Sequence, residues 1–285
     1  MALRQTTGSV VCPSCGSLVG VNDATCYTCG RRNPGMWGFT PLVRSLGQDL
    51  GFGPLVIGGS AILFVLSLLL SGGQIGMGGL GEFLSPAPEA LFLLGASGAG
   101  PVFGLGHWWS IFSAGWLHGG LIHIVMNLLW VRQLAPVVAD VYGPGRAIVI
   151  YVISSAVGFT LSSVAFFFPL GPFSGARLTV GASAPIFGLL GALVCYGRMG
   201  GSSMINNQAK SYAMMLFLFG LIIPRVDNFA HAGGFIGGYL IARWMNPFKP
   251  ERLDHLIWAV ILLLVTLVSI LASVLTGLPI IRAAA

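Results

Sequence analysis

Ser183 and His231 are a nucleophile type and a base type, placed where hydrocarbon-spanning segments should carry nothing polar. Ser183 stands in Gly181-Ala182-Ser183-Ala184-Pro185-Ile186-Phe187-Gly188, at the mouth of one apolar run. His231 stands in Ala230-His231-Ala232-Gly233-Gly234, inside another. An ionisable side chain within a bilayer is costly, so it reads as a functional group with a partner. A serine hydroxyl becomes a useful nucleophile once an adjacent imidazole takes its proton, which is the chemistry of acyl transfer. His123 and Asn127 lie four apart and project from one helical face, where both can donate hydrogen bonds to a common point. Each residue alone has a plainer reading, a serine bonded to its own backbone or a histidine bridging two helices. Their shared depth and complementary chemistry mark them as a set.

Membrane helices must position this set. Charged residues make up 8% of the chain and hydrophobic residues 55%, whereas a soluble domain carries about 25% charged residues. Apolar stretches run at about 54–71, 118–138, 147–169, 183–200, 211–223, 228–246 and 256–276. A span needs about 20 mainly apolar residues, roughly 17–25. The fifth stretch reaches that only by borrowing from Ser202–Lys210. A polar segment of about fifty residues precedes the first stretch, which argues against a signal peptide there. With the N-terminus inside, all of the 14 basic residues except Arg177, Arg225 and Arg282 fall on the inner side, Arg44 among them. The net charge of +6 therefore reads as topology, and nucleic-acid binding has no support. Ser183 and His231 then lie near the outer ends of their spans, with His123 and Asn127 at similar depth. Ala184, Gly188 and Ala192 on one span, and Ala230, Gly234 and Gly238 on another, repeat every four residues. Small residues at that spacing let membrane helices approach closely, so these stripes can face each other and bring Ser183 to His231.

A second chemistry sits near the N-terminus. Cys12-Pro13-Ser14-Cys15-Gly16 and Cys26-Tyr27-Thr28-Cys29-Gly30 are two Cys-x-x-Cys turns ten residues apart, the spacing of a four-sulfur zinc site. Two disulfides are the alternative, and a cytosolic head in a reducing compartment argues against them. About 34 residues fold poorly without such a staple. This head resembles small zinc-ribbon modules, with Zn2+ as a structural ion and no metal in catalysis. Residues 35–53 read either as an amphipathic linker, with Trp37, Phe39 and Phe52 at the headgroup level, or equally as a plain tether. Cys195 stands alone and reads as a small packed side chain.

The order of these residues resembles the rhomboid family of intramembrane serine proteases. The family pattern is a His, four residues, then His-x-x-x-Asn on the second helix. Gly-x-Ser-Gly follows at the start of the fourth, and Ala-His-x-x-Gly-x-x-x-Gly in the sixth. Here these read His118, His123 and Asn127, then Gly181-Ala182-Ser183-Ala184, then Ala230-His231 with Gly234 and Gly238. The chain departs from the pattern at Ala184, followed by Pro185, and at Trp109-Ser110, where the family often carries Trp-Arg. Proline suits the first turn of a helix, and alanine keeps the backbone amide that an oxyanion needs.

The resemblance implies an all-α polytopic membrane protein: a six-helix rhomboid-like bundle over 54–250, a seventh helix in 251–285, and the ribbon in 1–34. It implies Ser183 as nucleophile, His231 as base, and His123 and Asn127 as oxyanion donors. His118, Gly181, Phe187, Gly234 and Gly238 support them, Phe187 by stacking on the His231 ring. It further implies cleavage of single-span membrane proteins with helix-weak segments near the outer face. Partners are those substrates and the lipid bilayer; the ribbon itself reads either as a docking module for a cytosolic protein or equally as a passive cap. The expected setting is a bacterial cytoplasmic membrane, and the distribution of basic residues predicts the N-terminus inside and the C-terminus outside. One rival is an inactive rhomboid-like protein that binds and routes client membrane proteins. A transporter is a weaker rival, since its polar groups would lie at the midplane.

Overall fold

The computed structural model describes residues 4–41, 46–79, 82–170, 173–223 and 225–284. Arg44, counted above among the inner basic residues, lies outside them. Two strands, β1 (Ser9–Val11) and β2 (Leu18–Gly20), pair antiparallel in the N-terminal head. They enclose a small core of Val10, Val19 and Val21 with Cys12 and Cys26. Apart from one short hairpin, the regular structure of the rest is helical: a polytopic all-α membrane protein.

Helix α1 (Phe52–Leu70) starts behind Gly51, whose φ of +77° is a conformation that favours glycine. The Asp49 carboxylate accepts the N–H groups of Gly51 (3.1 Å) and Gly53 (2.7 Å) and so caps the helix. Phe52 was expected at the headgroup level. Instead it is buried, with its ring edge-on to Tyr151 at 5.1 Å, because the cap turns it into the bundle. Trp37, by contrast, is 72% exposed.

A long connection follows. It holds a short hairpin, β3 (Gly76–Met77) with β4 (Phe83–Ser85), then helix α2 (Pro88–Leu94) and helix α3 (Ser110–Ser113). The long helices come next: α4 (Leu121–Tyr142), α5 (Pro144–Ala165), α6 (Ser183–Arg198), α7 (Ser203–Ile222), α8 (Asn228–Trp244) and α9 (Leu253–Ala284). Helix α7 does take in the polar stretch from Ser203, with Ser202 accepting the Ile205 N–H at its start. Phe52–Leu70, Leu121–Tyr142, Pro144–Ala165 and Leu253–Arg282 are long and apolar enough to cross a membrane. Helix α6 has only 16 residues, but every one from Ala184 to Cys195 is buried. It is the centre of the bundle, so its length is matched to its neighbours rather than to lipid.

Helices α5, α6 and α8 form the tightest packing in the molecule. A Cβ on Gly238 would overlap the Gly188 carbonyl, and one on Gly234 would overlap the Ala184 carbonyl. On the third side, a Cβ on Gly158 of α5 would lie 3.0 Å from the Ala184 methyl and 3.2 Å from the Gly234 nitrogen. Close backbone approach of this kind holds helices together where lipid gives no hydrophobic advantage to association. The seventh long helix, α9, lies against α5, α2 and α3. At the far end of α5, the buried Arg146 donates to the carbonyls of Asn246 (2.5 Å) and Lys249 (2.7 Å) and fixes the α8–α9 turn.

Gly238→Val should destabilise the folded protein by about 1–3 kcal/mol, the usual cost of overpacking. Gly58→Ala, where an added Cβ meets nothing within 4 Å, should leave it unchanged or slightly firmer. Detergent unfolding followed by circular dichroism separates the two.

Candidate active site

Ser183 opens α6, and His231 stands one turn into α8. Both are set by the contact just described, since Ala184 directly follows Ser183 and Gly234 lies one turn after His231. Phe187, one turn after Ser183, stacks on the His231 ring with centroids 4.4 Å apart and planes 17° from parallel. That stack fixes the plane of an imidazole whose Nδ1 is buried with no hydrogen-bond partner among the described residues. No hydrogen bond joins Ser183 and His231 among the described residues. Such bonds are often long without substrate and tighten when it binds.

His123 and Asn127 lie one turn apart on α4, as the spacing requires. The His123 Nδ1 accepts the Gly119 N–H at 3.3 Å, so in the neutral ring the proton sits on Nε2. A Cβ built on Gly181 would lie 2.7 Å from His123 Nε2 and 3.5 Å from Ser183 Oγ. The two atoms therefore flank one small space, and glycine at 181 keeps it open. Its φ of +136° independently favours glycine there. Asn127 is buried, with its Nδ2 unpaired among the described residues. His118 precedes the helix and is fully buried, its ring edge-on to His123 at 5.3 Å. It therefore packs behind His123.

The backbone leading into Ser183 is held by the long connection before α4. Ser97 and Thr179 exchange two backbone hydrogen bonds (3.0 and 2.8 Å), Gly100 N–H donates to Arg177 (2.9 Å), and Gly181 N–H donates to Ala114 (3.0 Å). Ser110 occupies the place of the missing arginine and donates to Ser97 Oγ at 3.2 Å. Trp109 donates its indole N–H to Ser273 of α9 at 3.1 Å. The seventh helix thus anchors this connection. The Ala184 methyl is absorbed in a small cluster with Ala114, Phe159 and Ala230.

Asp227 was passed over in the sequence because it lies outside the apolar run. Its carboxylate caps α8 by accepting the Ala230 N–H (3.0 Å) and also accepts the Ser162 hydroxyl (2.5 Å). Ser162 Oγ in turn accepts the Ala176 N–H (3.1 Å). One carboxylate thus joins the start of the His231 helix, α5, and the loop before Ser183. The Asp/Ser-before-helix cap pattern was the available signal.

In the head, the four Sγ atoms of Cys12, Cys15, Cys26 and Cys29 all lie within 4.8 Å of one another. The Cys12–Cys29 and Cys15–Cys26 separations are 3.8 and 3.6 Å. Sulfurs around a tetrahedral ion with Zn–S near 2.3 Å stand about 3.8 Å apart, so the residues fit a metal. All four cysteines are free thiols. Hydrogen bonds from Ser17 pull the Cys15 thiol down to about 6, while burial pushes Cys29 up to about 12.

Residues 105–248 match the family profile described as Rhomboid domain, and the chain belongs to the rhomboid family. It is 31% identical over 163 residues to RHOMBOID-like protein 7 of Arabidopsis thaliana, covering 55% of this chain and 49% of that one. Against Rhomboid protease GluP of Bacillus subtilis (strain 168) identity is 30% over 169 residues, covering 58% of this chain and 32% of the relative. Against Rhomboid-like protease 3 of Toxoplasma gondii it is 26% over 191 residues, 65% of each. The chain spans about half the length, or less, of most relatives it matches. The polar set from His118 to Gly238 lies inside the matched segment, whereas the cysteine head and α9 lie outside it.

Asp227→Ala removes the cap and should cost about 1–2 kcal/mol of stability. Hydrogen exchange at the Ala230 and Ala176 amides should quicken with it, and Ser162→Ala should quicken Ala176 alone. Unchanged exchange at both amides would mean that the carboxylate does not join these elements.

Proposed function

We propose that this protein is an intramembrane serine endopeptidase with Ser183 as nucleophile and His231 as its general base. The observation that carries this reading is the small space at Gly181, flanked by Ser183 Oγ on one side and the His123 Nε2 donor on the other. A scissile carbonyl placed there would be attacked by Oγ as His231 takes the hydroxyl proton. The developing oxyanion would be met by His123 Nε2–H, Asn127 Nδ2–H and the Ser183 backbone N–H, which has no intrahelical partner at a helix start. His231 would then give its proton to the leaving amine, and water would release the acyl group by the reverse sequence. The Asp227 carboxylate serves the helix cap, so the base works as half of a dyad. Phe187 orients the imidazole in place of a third member.

Ala184, the departure from the family's Gly-x-Ser-Gly, is the one residue that would favour the inactive, client-routing reading. Its methyl packs with Phe159 of α5, Ala114 and Ala230, and the residue keeps the backbone amide that an oxyanion needs, so the departure from glycine is compatible with turnover. Substrates would be single-span membrane proteins whose helix-weak segments unwind to expose a carbonyl. We orient the chain with the head inside, following its basic residues, so cleavage falls near the outer face. The head over 1–34 would form a zinc ribbon with Cys12, Cys15, Cys26 and Cys29, tethered by 35–53 to the core over 54–250 and the seventh helix beyond it. It would be available to a cytosolic partner.

Incubation of the purified full chain with a helix-weak membrane substrate tests the reading. Ser183→Ala and His231→Ala should abolish cleavage, and Asn127→Ala should lower kcat by about one to three decades with little change in KM. Full cleavage by Ser183→Ala would refute it. Metal analysis should find about one zinc per chain, lost on Cys26→Ser and released as acid protonates the thiolates. Two disulfides in freshly alkylated protein would contradict both the zinc site and the inward head.

A further inference from the structure

Helices α7 and α8 meet beside the candidate site, where the Asn228 side chain donates to the Gly220 carbonyl at 2.8 Å. Toward their other ends they hardly touch, and α7 leans on α6 instead. The gap between them is an open groove of about 390 Å³. Val194, Phe235, Ile236 and Leu240 make its walls apolar, and Arg198 of α6 and Lys210 of α7 line the same concavity. Ile236 and Leu240 are 51% and 59% exposed, so this floor is left open among the described residues. Because α6 runs from Ser183 to Arg198, both cations lie toward the end of the bundle opposite the nucleophile.

The cations argue for a specific occupant. Among the described residues, the ion pairs join Arg225 to Glu82, and Arg252 and His255 to Asp254. Arg198 and Lys210 are exposed and have no acidic partner there. Lys210 is not a terminal charge that topology alone would place, since it sits about two turns inside α7. A lysine at that depth extends its apolar stem along the helix and carries the ammonium toward the headgroup level. It is then brought to the same level as Arg198 on the neighbouring helix. Two unpaired cations above an apolar groove match a ligand with an anionic head and a hydrocarbon tail. Basic pockets between membrane helices bind anionic lipid headgroups by this complementarity.

We infer that the groove between α7 and α8 is a binding site for one anionic glycerophospholipid. One acyl chain lies along Phe235, Ile236 and Leu240, and the phosphate is held between Arg198 and Lys210. The site stands apart from the peptidase reading, because none of its residues belongs to the set around Ser183. A bound chain would fill the gap that α7 and α8 leave between them.

Native mass spectrometry of the full chain, released from nanodiscs of phosphatidylcholine mixed equally with phosphatidylglycerol, reads the retained lipid directly. The wild type should keep one phosphatidylglycerol in preference to phosphatidylcholine. Arg198→Gln combined with Lys210→Gln should lower that preference on the order of tenfold. Arg132→Gln, an exposed cation outside the groove, should leave it intact. Leu240→Trp fills the floor and should reduce retention of either lipid while both cations remain. The charge variants alter exposed side chains and decide the matter even if the tryptophan variant fails to fold. Equal preference in the double variant, equal loss in Arg132→Gln, or a retained peptide or second copy of the chain in place of lipid would overturn the assignment.

Discussion

The contact between α6 and α8 is the constraint on which the rest of this molecule depends. The Gly234 and Gly238 backbones lie directly on the carbonyls of Ala184 and Gly188, at a separation no side chain could share. Water gives membrane helices no reason to associate, so this surface must hold by close van der Waals packing. It also sets the positions of Ser183, which directly precedes Ala184, and of His231, one turn before Gly234. A methyl added at Gly234 or Gly238 would overlap the facing carbonyl and force the two helices apart. The same constraint explains why α6 tolerates being short: it is sheathed by protein on every side.

Around that contact, the polar groups are arranged before any substrate arrives. The Gly119 amide sets the His123 tautomer and so aims a donor at the Gly181 space. The Ser97–Thr179 backbone bridge and the Gly181–Ala114 bond hold the approach to Ser183, and Asp227 holds the start of the His231 helix. Donors fixed in advance at low dielectric need no reorganisation as charge develops, which is where catalytic sites gain most. The buried, unpaired Nδ2 of Asn127 and Nδ1 of His231 are expensive in a membrane interior. Their persistence is intelligible if both are satisfied when a substrate backbone enters.

Much of this placement was legible in the sequence because it is periodic. The four-residue steps of small residues on α6 and α8, the His123–Asn127 interval and the paired Cys-x-x-Cys turns each follow from local geometry. What stayed hidden depends on partners distant in the chain. Phe52 looked like an interfacial aromatic, and only the Asp49 cap and Tyr151 turn it inward. The Trp109-Ser110 pair shows in the sequence only as a departure from the family's Trp-Arg. Ser273, more than a hundred residues away, now holds that indole on α9. Asp227 was overlooked because it stands just beyond an apolar run, where a carboxylate has a cap to make.

The central claim is that these packed helices activate Ser183 through His231. A fluorophosphonate probe, with the modified residue mapped by mass spectrometry, reads that activation at the atom concerned and needs no knowledge of the natural substrate. The account predicts a single adduct on Ser183, lost in His231→Ala although that variant remains folded. Labelling that persists undiminished without His231, or that falls on another serine, would contradict it.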